Sequence, residues 1–181
     1  MKNEDFKYLY DRLKEPSDID ALSKDLCLDR ELLTVIYTQR TVRETTKKYY
    51  KVQRNGRRMV RSWQSGESIL EIARRYEFPP ILTGLMIFQE AGRSKKQFWS
   101  LVRDPESIQD PDLRTQIEEI IAADIIYSPE GTEKQYQRGQ WGEKNLQDWL
   151  TSQGIGFRTE KDLRGEYPKT PDALLDRPIL V

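Results

Sequence analysis

The sequence contains no histidine and only one cysteine, Cys27. The lack of histidine excludes Ser-His-Asp triads, acid–base catalysis by imidazole and metal sites built from histidine. A single cysteine excludes a disulfide within these 181 residues and is typical of a reducing compartment, so we expect a cytoplasmic protein. Any catalysis would have to depend on carboxylates, lysines, tyrosines or a metal ion bound by oxygen atoms.

Long apolar runs are also lacking, and stretches such as residues 120–123 are far too short to span a bilayer. The first ten residues contain no apolar stretch of the kind found in a secretory signal peptide. We therefore expect no membrane association. Hydrophobic residues still make up 36% of the chain, which is enough for the core of one compact domain or of two small ones.

Neither charge is in excess, because 30 Lys and Arg residues balance 30 Asp and Glu residues. The balance conceals a strong pattern along the chain. Residues 30–75 contain 12 basic and 4 acidic residues, a net charge of +8, whereas residues 104–181 contain 9 and 16, a net charge of −7. A basic block followed by an acidic one indicates polyanion binding by the first and cation binding by the second.

The first hundred residues have the apolar spacing of helices joined by short turns. A helix with Ser17 at its N-cap, a turn at Cys27 and a helix capped by Asp29 that extends to about residue 52 have the spacing of a helix-turn-helix. A second paired helix unit is predicted to follow, and Pro79-Pro80 begins its second helix. Residues 81–88 of that helix are so apolar that we expect them to pack in a core.

The chain changes character after a loop at residues 127–131. A helix over about residues 132–152 carries Trp141 and Trp149, which are eight positions apart, and we expect one face of this helix to bury both. Three short strands are predicted after it, at residues 157–159, at residues 173–175 and from Ile179 onward.

The basic block contains nine Lys and Arg residues within 22 positions, a density that suits contact with phosphates. The candidate nucleic-acid-binding residues are Arg40, Arg43, Lys47, Lys48, Lys51, Arg54, Arg57, Arg58 and Arg61. The alternative is a solvated helix face. Tyr49, Tyr50 and Trp63 could stack on unpaired bases, although we favour a core position for them. Arg74 and Arg75 are weaker candidates for a phosphate contact.

Two carboxylates from different elements, Glu143 and Asp172, form a candidate metal site. Glu143 is predicted on a helix, and Asp172 follows Thr170-Pro171 at the start of a strand, where proline favours an extended backbone before it. Oxygen ligands of this kind suit Mg²⁺ or Mn²⁺. The pair alone is a weak signal, because most of the 30 acidic residues are expected on solvated faces.

The order of these parts strengthens the metal interpretation. A helix with Glu, a strand, a loop with Pro-Asp and further strands resembles the first half of the PD-(D/E)xK nuclease core. Gly142-Glu143 followed by residues 169–172 is similar, more closely, to the TPD-motif family, whose members join helix-turn-helix units to a nuclease-like domain. The resemblance implies that Glu143 and Asp172 are catalytic and bind the metal ion, and that a Glu/Asp-x-Lys strand completes the site.

No Glu/Asp-x-Lys follows Asp172 in these 181 residues. The expected fold is therefore α+β: a mostly α-helical region with two helix-turn-helix-like units, residues 1–126, followed by an incomplete restriction-endonuclease-like α/β core, residues 127–181. We expect binding to DNA, with RNA as the alternative, and no hydrolysis by these residues alone. A non-catalytic DNA-binding regulator or adaptor is the second interpretation. A strand edge at residues 179–181 would favour a homodimer.

Overall fold

Ten α-helices and two short strands follow one another in the computed structural model, which describes residues 3–165 and 171–177. The chain divides into two units, Met1–Thr132 and Glu133–Val181. The mostly helical chain with its small two-stranded sheet is of the α+β class, as expected. Within the described ranges, no helix is both long enough and apolar enough to cross a membrane.

The helices of the first unit are joined by short connections. In chain order they are α1 (Asn3–Arg12), α2 (Pro16–Leu26), α3 (Arg30–Gln53), α4 (Gly56–Gln64), α5 (Ile69–Tyr76), α6 (Pro80–Glu90), α7 (Lys95–Arg103), a short 3-10 helix (Pro105–Ser107) and α8 (Pro111–Ala123). Helix α9 (Pro129–Ser152) begins in this unit and continues into the second.

Local sequence explains where several of these helices begin. Helix α2 has Glu15, not Ser17, at its N-cap, because Pro16 suits the first helical position and Glu15 forms a capping box with Asp18. The Asp29 side chain accepts a hydrogen bond from a backbone N–H of the first turn of α3, as its predicted capping role requires.

Hydrophobic side chains of the first unit are buried in two clusters. Helices α1 to α3 and Ile126, which follows α8, form the smaller one, and Leu13 and Leu33 are completely buried in it. Helices α3 to α8 supply the larger one, and α6 contributes the fully buried Phe88. Burying a side chain of this size contributes about 1.5–3 kcal/mol relative to leaving it exposed.

Helix α6 lies in the core along most of its length, which confirms the packing role expected for residues 81–88. Ile81, Thr83, Gly84 and Phe88 are all buried. A Cβ on Gly84 would lie only 3.0 Å from the ring of Phe98, so glycine allows α7 to approach α6 closely. A helix packed in this way cannot present its apolar side chains to a nucleic-acid groove.

The start of α6 is capped by a residue far away in the sequence. No side chain at its own N-cap accepts a hydrogen bond, but the Asp124 carboxylate accepts one from the Ile81 N–H at 3.2 Å. The other oxygen of Asp124 accepts hydrogen bonds from Ile126 and Tyr127, at 3.1 and 2.8 Å. Burial raises the pKa of Asp124, and these three backbone donors act in the opposite direction.

The second unit contains most of α9, strand β1 (Phe157–Thr159), the one-turn helix α10 (Glu160–Leu163) and strand β2 (Ala173–Leu175). The strands are antiparallel, with Phe157 opposite Leu175 and Thr159 opposite Ala173. Both strands were predicted at these positions. The third predicted strand and the proposed dimer edge, residues 179–181, lie outside the described residues.

The prediction that Trp141 and Trp149 share a buried face is wrong. Their exposed fractions are 70% and 52%, whereas Leu150 is only 2% exposed. Successive residues of an α-helix are rotated by about 100°, so Leu150 points about 180° away from Trp141 and about 100° away from Trp149. The face of α9 that is buried is therefore that of Leu150, and spacing alone did not identify it.

Candidate nucleic-acid interface and carboxylate pair

Five cationic residues follow one face of helix α3. They recur at intervals of three, four, four and three positions, which is the spacing of one helical face. This basic stripe consists of Arg40, Arg43, Lys47, Lys51 and Arg54, the last being the C-cap residue of α3. The stripe spans 14 helical steps, or about 21 Å along the helix axis.

The exposure of the stripe follows from what covers α3. Earlier in the helix the same face carries Leu33 and Ile36, which are buried in the smaller cluster. The Arg40 guanidinium lies 6.0 Å from the ring centroid of Tyr10, so α1 still covers this position. From Arg43 onward the four remaining cations of the stripe are exposed.

Three of the nine candidate cations form ion pairs, and all three pairs are at the surface. Lys47 pairs with Glu44 at 2.9 Å, Lys48 with Glu77 at 2.7 Å, and Arg57 with Glu90 at 3.3 Å. The hydrogen bond from Lys48 lowers the pKa of Glu77, so this carboxyl group is ionised at neutral pH. Exposed pairs of this kind contribute only about 0–1 kcal/mol, so a phosphate can displace the carboxylate.

Apart from Arg40, which contacts the ring of Tyr10, five candidates remain, and none of them has a carboxylate partner in the described part of the chain. These residues are Arg43, Lys51, Arg54, Arg58 and Arg61. Clustered cations without counter-ions create the positive potential that attracts a polyanion.

Helix α4 carries a second group of exposed cations. Arg58, Arg61, Ser62 and Ser65 line an open depression, where the guanidinium groups and the Ser62 hydroxyl can donate to phosphate oxygens. The Ser65 hydroxyl donates to the backbone oxygen of Ser62 at 2.7 Å. The sequence interpretation missed the two serines, although positions 58, 61, 62 and 65 have the spacing of one helical face. Arg75 is held by Glu67 at 2.8 Å and donates to Ser62 at 3.0 Å.

The aromatic residues of the block differ from one another in burial. Trp63 packs on Phe88 with a ring separation of 5.6 Å, which agrees with the expected core position. Tyr50 is 72% exposed, so its assignment to the core is wrong, and Tyr49 is partly exposed at 37%. Tyr50 lies beside the stripe because it follows Lys47 by three positions and precedes Arg54 by four.

The two candidate metal ligands lie in the second unit and are both exposed. Glu143 precedes Leu150 by seven positions, or about two helical turns, so both residues lie on the same face of α9. Leu150 is buried on this face, whereas Glu143 is exposed. Asp172 directly precedes Ala173, which pairs with Thr159 across the sheet. In residues 3–165 and 171–177, no group of three or more Asp, Glu, Cys or His side chains is arranged to hold a metal ion.

The chemistry of this donor set fits Mg²⁺ or Mn²⁺. Mg²⁺ in proteins is commonly held by one or two carboxylates, several water molecules and the phosphates of a substrate. Glu143 and Asp172 would supply two carboxylates, and both residues are exposed.

Comparison with known proteins gives a family match in the second half of the chain. Residues 109–181 match the family described as "Protein of unknown function TPD sequence-motif". This range includes α8, α9, both strands and both candidate metal ligands.

Curated relatives extend the similarity into the helical unit. CDAN1-interacting nuclease 1 of Bos taurus is 32% identical over 146 residues, covering 76% of this chain and 51% of the relative. The protein of the same name from Homo sapiens is 30% identical over the same length and coverage, and that from Danio rerio is 28% identical over 121 residues, covering 62% of this chain and 40% of the relative.

The alignment is longer than the family match, so it includes residues before position 109. The chain spans about half the length of the curated relatives that it matches most extensively. No solved structure matches this chain.

Proposed function

The chain belongs to the TPD-motif family and is related to CDAN1-interacting nucleases, and on this premise we propose that it binds nucleic acid as part of a metal-dependent nuclease architecture. The observation that carries the proposal is the basic stripe of α3, with four of its five cations exposed. DNA is the expected ligand and RNA the alternative.

Binding would rest on contacts between the stripe and the phosphate backbone. Each phosphate that a cation neutralises releases condensed counter-ions, so the affinity falls steeply as salt is added. The cations of α4 would extend the contact, and the hydroxyl group of Ser62, which accepts a hydrogen bond from Arg75, would donate its own hydrogen to a phosphate oxygen.

Glu143 and Asp172 would hold the metal ion. Support comes from the order of helix, strand and strand, with β1 and β2 antiparallel, and from the match of this region to the family. Bound Mg²⁺ or Mn²⁺ supplies a Lewis acid that activates water and stabilises charge on a phosphate. The β1–β2 pairing fixes the backbone that follows Asp172. Phosphodiester hydrolysis is proposed for a protein that also carries the Glu/Asp-x-Lys strand.

Charge reversal tests the binding surface. In the variant R43E/K47E/R54E we expect weaker oligonucleotide binding and, since up to three phosphate contacts are lost, a shallower slope of log affinity against log salt, by about 2 to 3. Fluorescence anisotropy between 50 and 200 mM salt measures both. The matched control K95E/K96E/R103E makes the same charge change at exposed positions of α7. If both variants weakened oligonucleotide binding equally, only net charge would matter, and the stripe would not be the binding surface.

Metal binding has its own test, independent of activity. Mn²⁺ binding, followed by electron paramagnetic resonance, is expected to weaken in D172A and in E143A. D148N is the control, because Asp148 is another exposed carboxylate of α9. If D172A and E143A both bound Mn²⁺ with unchanged affinity, the proposed metal site would be wrong. The proposal of nucleic-acid binding would not be affected.

A non-catalytic adaptor is the second candidate. The name of the relatives refers to an interaction with CDAN1. Helix α3 exposes Leu32, Val35 and Val42 at 37%, 36% and 39%. Exposed apolar side chains along one helix are typical of a surface that a partner covers. An adaptor would bind nucleic acid equally well with and without Mg²⁺, and D172A would leave that binding unchanged.

A further inference from the structure

Tyr50, the exposed tyrosine beside the basic stripe, indicates which kind of nucleic acid this surface would bind. We propose that Tyr50 stacks on an unpaired base, so that the preferred ligand of this surface contains a single-stranded segment. The inference rests on the proposed nucleic-acid binding and adds the substrate class, which neither the stripe nor the family match assigns.

Tyr50 is held in place by other aromatic rings. Its ring meets that of Tyr49 edge to face, with centroids 5.6 Å apart. Tyr49 in turn lies 6.5 Å from the ring of Phe78, which is only 5% exposed and belongs to the larger core cluster. The chain of three rings connects an exposed tyrosine to the core, so less side-chain freedom is lost when a base stacks on it.

The position of Tyr50 allows a base and its backbone to be bound together. Three cations of the stripe lie on the same side of α3 as Tyr50. Arg43 precedes Tyr50 by seven positions, Lys47 precedes it by three, and Arg54 follows it by four. One turn of an α-helix rises about 5.4 Å, so successive cations of the stripe are separated by about one turn along the axis. A strand that follows the stripe would therefore place phosphates beside the cations and a base beside the tyrosine.

A paired duplex does not offer the same contact. Its bases are stacked on one another, and the faces of their rings are closed to a side chain on a helix surface. Stacking of an aromatic side chain on a base is the interaction that single-strand-binding proteins combine with a positively charged groove. The cations alone would serve either ligand, so Tyr50 makes the distinction.

The experiment compares three labelled oligonucleotides of equal length with the whole 181-residue chain at one fixed salt concentration: single-stranded DNA, single-stranded RNA and duplex DNA. We expect Y50A to weaken single-strand binding at least about fivefold, and duplex binding less than twofold. Y50F keeps the ring and should bind like the unchanged protein. The DNA and RNA arms identify the preferred sugar, because the unchanged protein binds the preferred strand with the higher affinity.

Y8A is the matched control, because Tyr8 is also an exposed tyrosine, on α1. Y8A should leave the affinity for all three oligonucleotides unchanged. An equal effect of Y50A on single strands and duplex would overturn the inference, and so would a loss in Y50F as large as in Y50A, since that would indicate a contact of the hydroxyl group with phosphate. If R43E/K47E/R54E abolishes binding while Y50A changes nothing, only this inference fails. If the unchanged protein binds none of the three oligonucleotides, the proposed function fails with it.

Discussion

The two units differ in how much of their apolar surface is buried. In residues 3–132, side chains from eight helices meet in two clusters, and aromatic residues such as Phe88 and Phe98 are completely buried. In the described part of the second unit, only Leu150 and Leu163 are buried hydrophobic residues, while larger side chains stay exposed. The number of elements available to pack against, rather than the supply of apolar residues, therefore decides burial.

Replacing one large aromatic residue in each unit should give the largest difference between them. We expect F88A to lower the free energy of unfolding by about 3–5 kcal/mol, because it leaves a cavity among packed helices. W141A removes a larger side chain that is 70% exposed, and we expect a change within about 0.5 kcal/mol. Urea denaturation followed by circular dichroism measures both.

Quenching of tryptophan fluorescence checks the same contrast by a second measurement. The chain has four tryptophans, and variants that keep only one of them report on each position. Iodide should quench Trp141 and Trp149 more strongly than Trp63 and Trp99, which pack against the larger cluster. Equal quenching at all four positions would contradict the comparison.

Two aspartates that cap local structure differ between the units in the same way. Asp124 is buried and accepts hydrogen bonds from three backbone N–H groups, whereas Asp162 is exposed and accepts two from Thr159, one from its N–H and one from its hydroxyl. D124A should lower the free energy of unfolding by about 3 kcal/mol, because buried donors lose their acceptor. D162A should cost much less, since water replaces the carboxylate.

D124N separates the hydrogen bonds from the charge. Its amide oxygen can still accept hydrogen bonds from Ile126 and Tyr127, but its NH₂ group would then face the Ile81 N–H. We therefore expect a loss between those of D124A and the unchanged protein, measured by the same urea titration. A D124A protein as stable as the D162A protein would show that burial does not distinguish these caps.

The sequence predicted those parts of the fold that depend on local pattern. The helices around residues 30–52 and 80–90, the core role of residues 81–88 and the strands at 157–159 and 173–175 follow from apolar spacing and from residues that begin or end helices. Burial of Tyr50, Trp141 and Trp149 was predicted wrongly, because the covered face of a helix depends on neighbours distant in the sequence.

The candidate site was predictable to a similar extent. The density of cations indicated the basic block, and the Gly-Glu and Thr-Pro-Asp motifs indicated the family. The ion pairs of Lys48 with Glu77 and of Arg57 with Glu90 join residues 29 and 33 positions apart. Only the packing of the helices brings them together, so sequence reasoning could not tell which cations have a partner.

The smallest expected effect concerns exposed carboxylates that should behave alike in the two units. Hydrogen bonds from Ser68 lower the pKa of Glu71 below its ordinary 4.5, and those from Thr159 lower the pKa of Asp162 below 3.8. A lowered pKa in the folded state means that each group stabilises the fold above its ordinary pKa and that this contribution is lost as the pH falls through the lowered value.

E71Q and D162N keep an oxygen acceptor but cannot titrate. The free energy of unfolding of the unchanged protein should therefore exceed that of each variant by a constant amount near neutral pH, and the difference should shrink below about pH 4. Urea titrations at a series of pH values measure this difference. The contribution of Asp124 to stability should change with pH in the opposite direction, because burial raises its pKa. The stabilisation that its protonated form contributes is lost as the pH rises from the ordinary pKa of 3.8. If the E71Q and D162N differences respond to pH in opposite directions, local capping as well as burial distinguishes the two units.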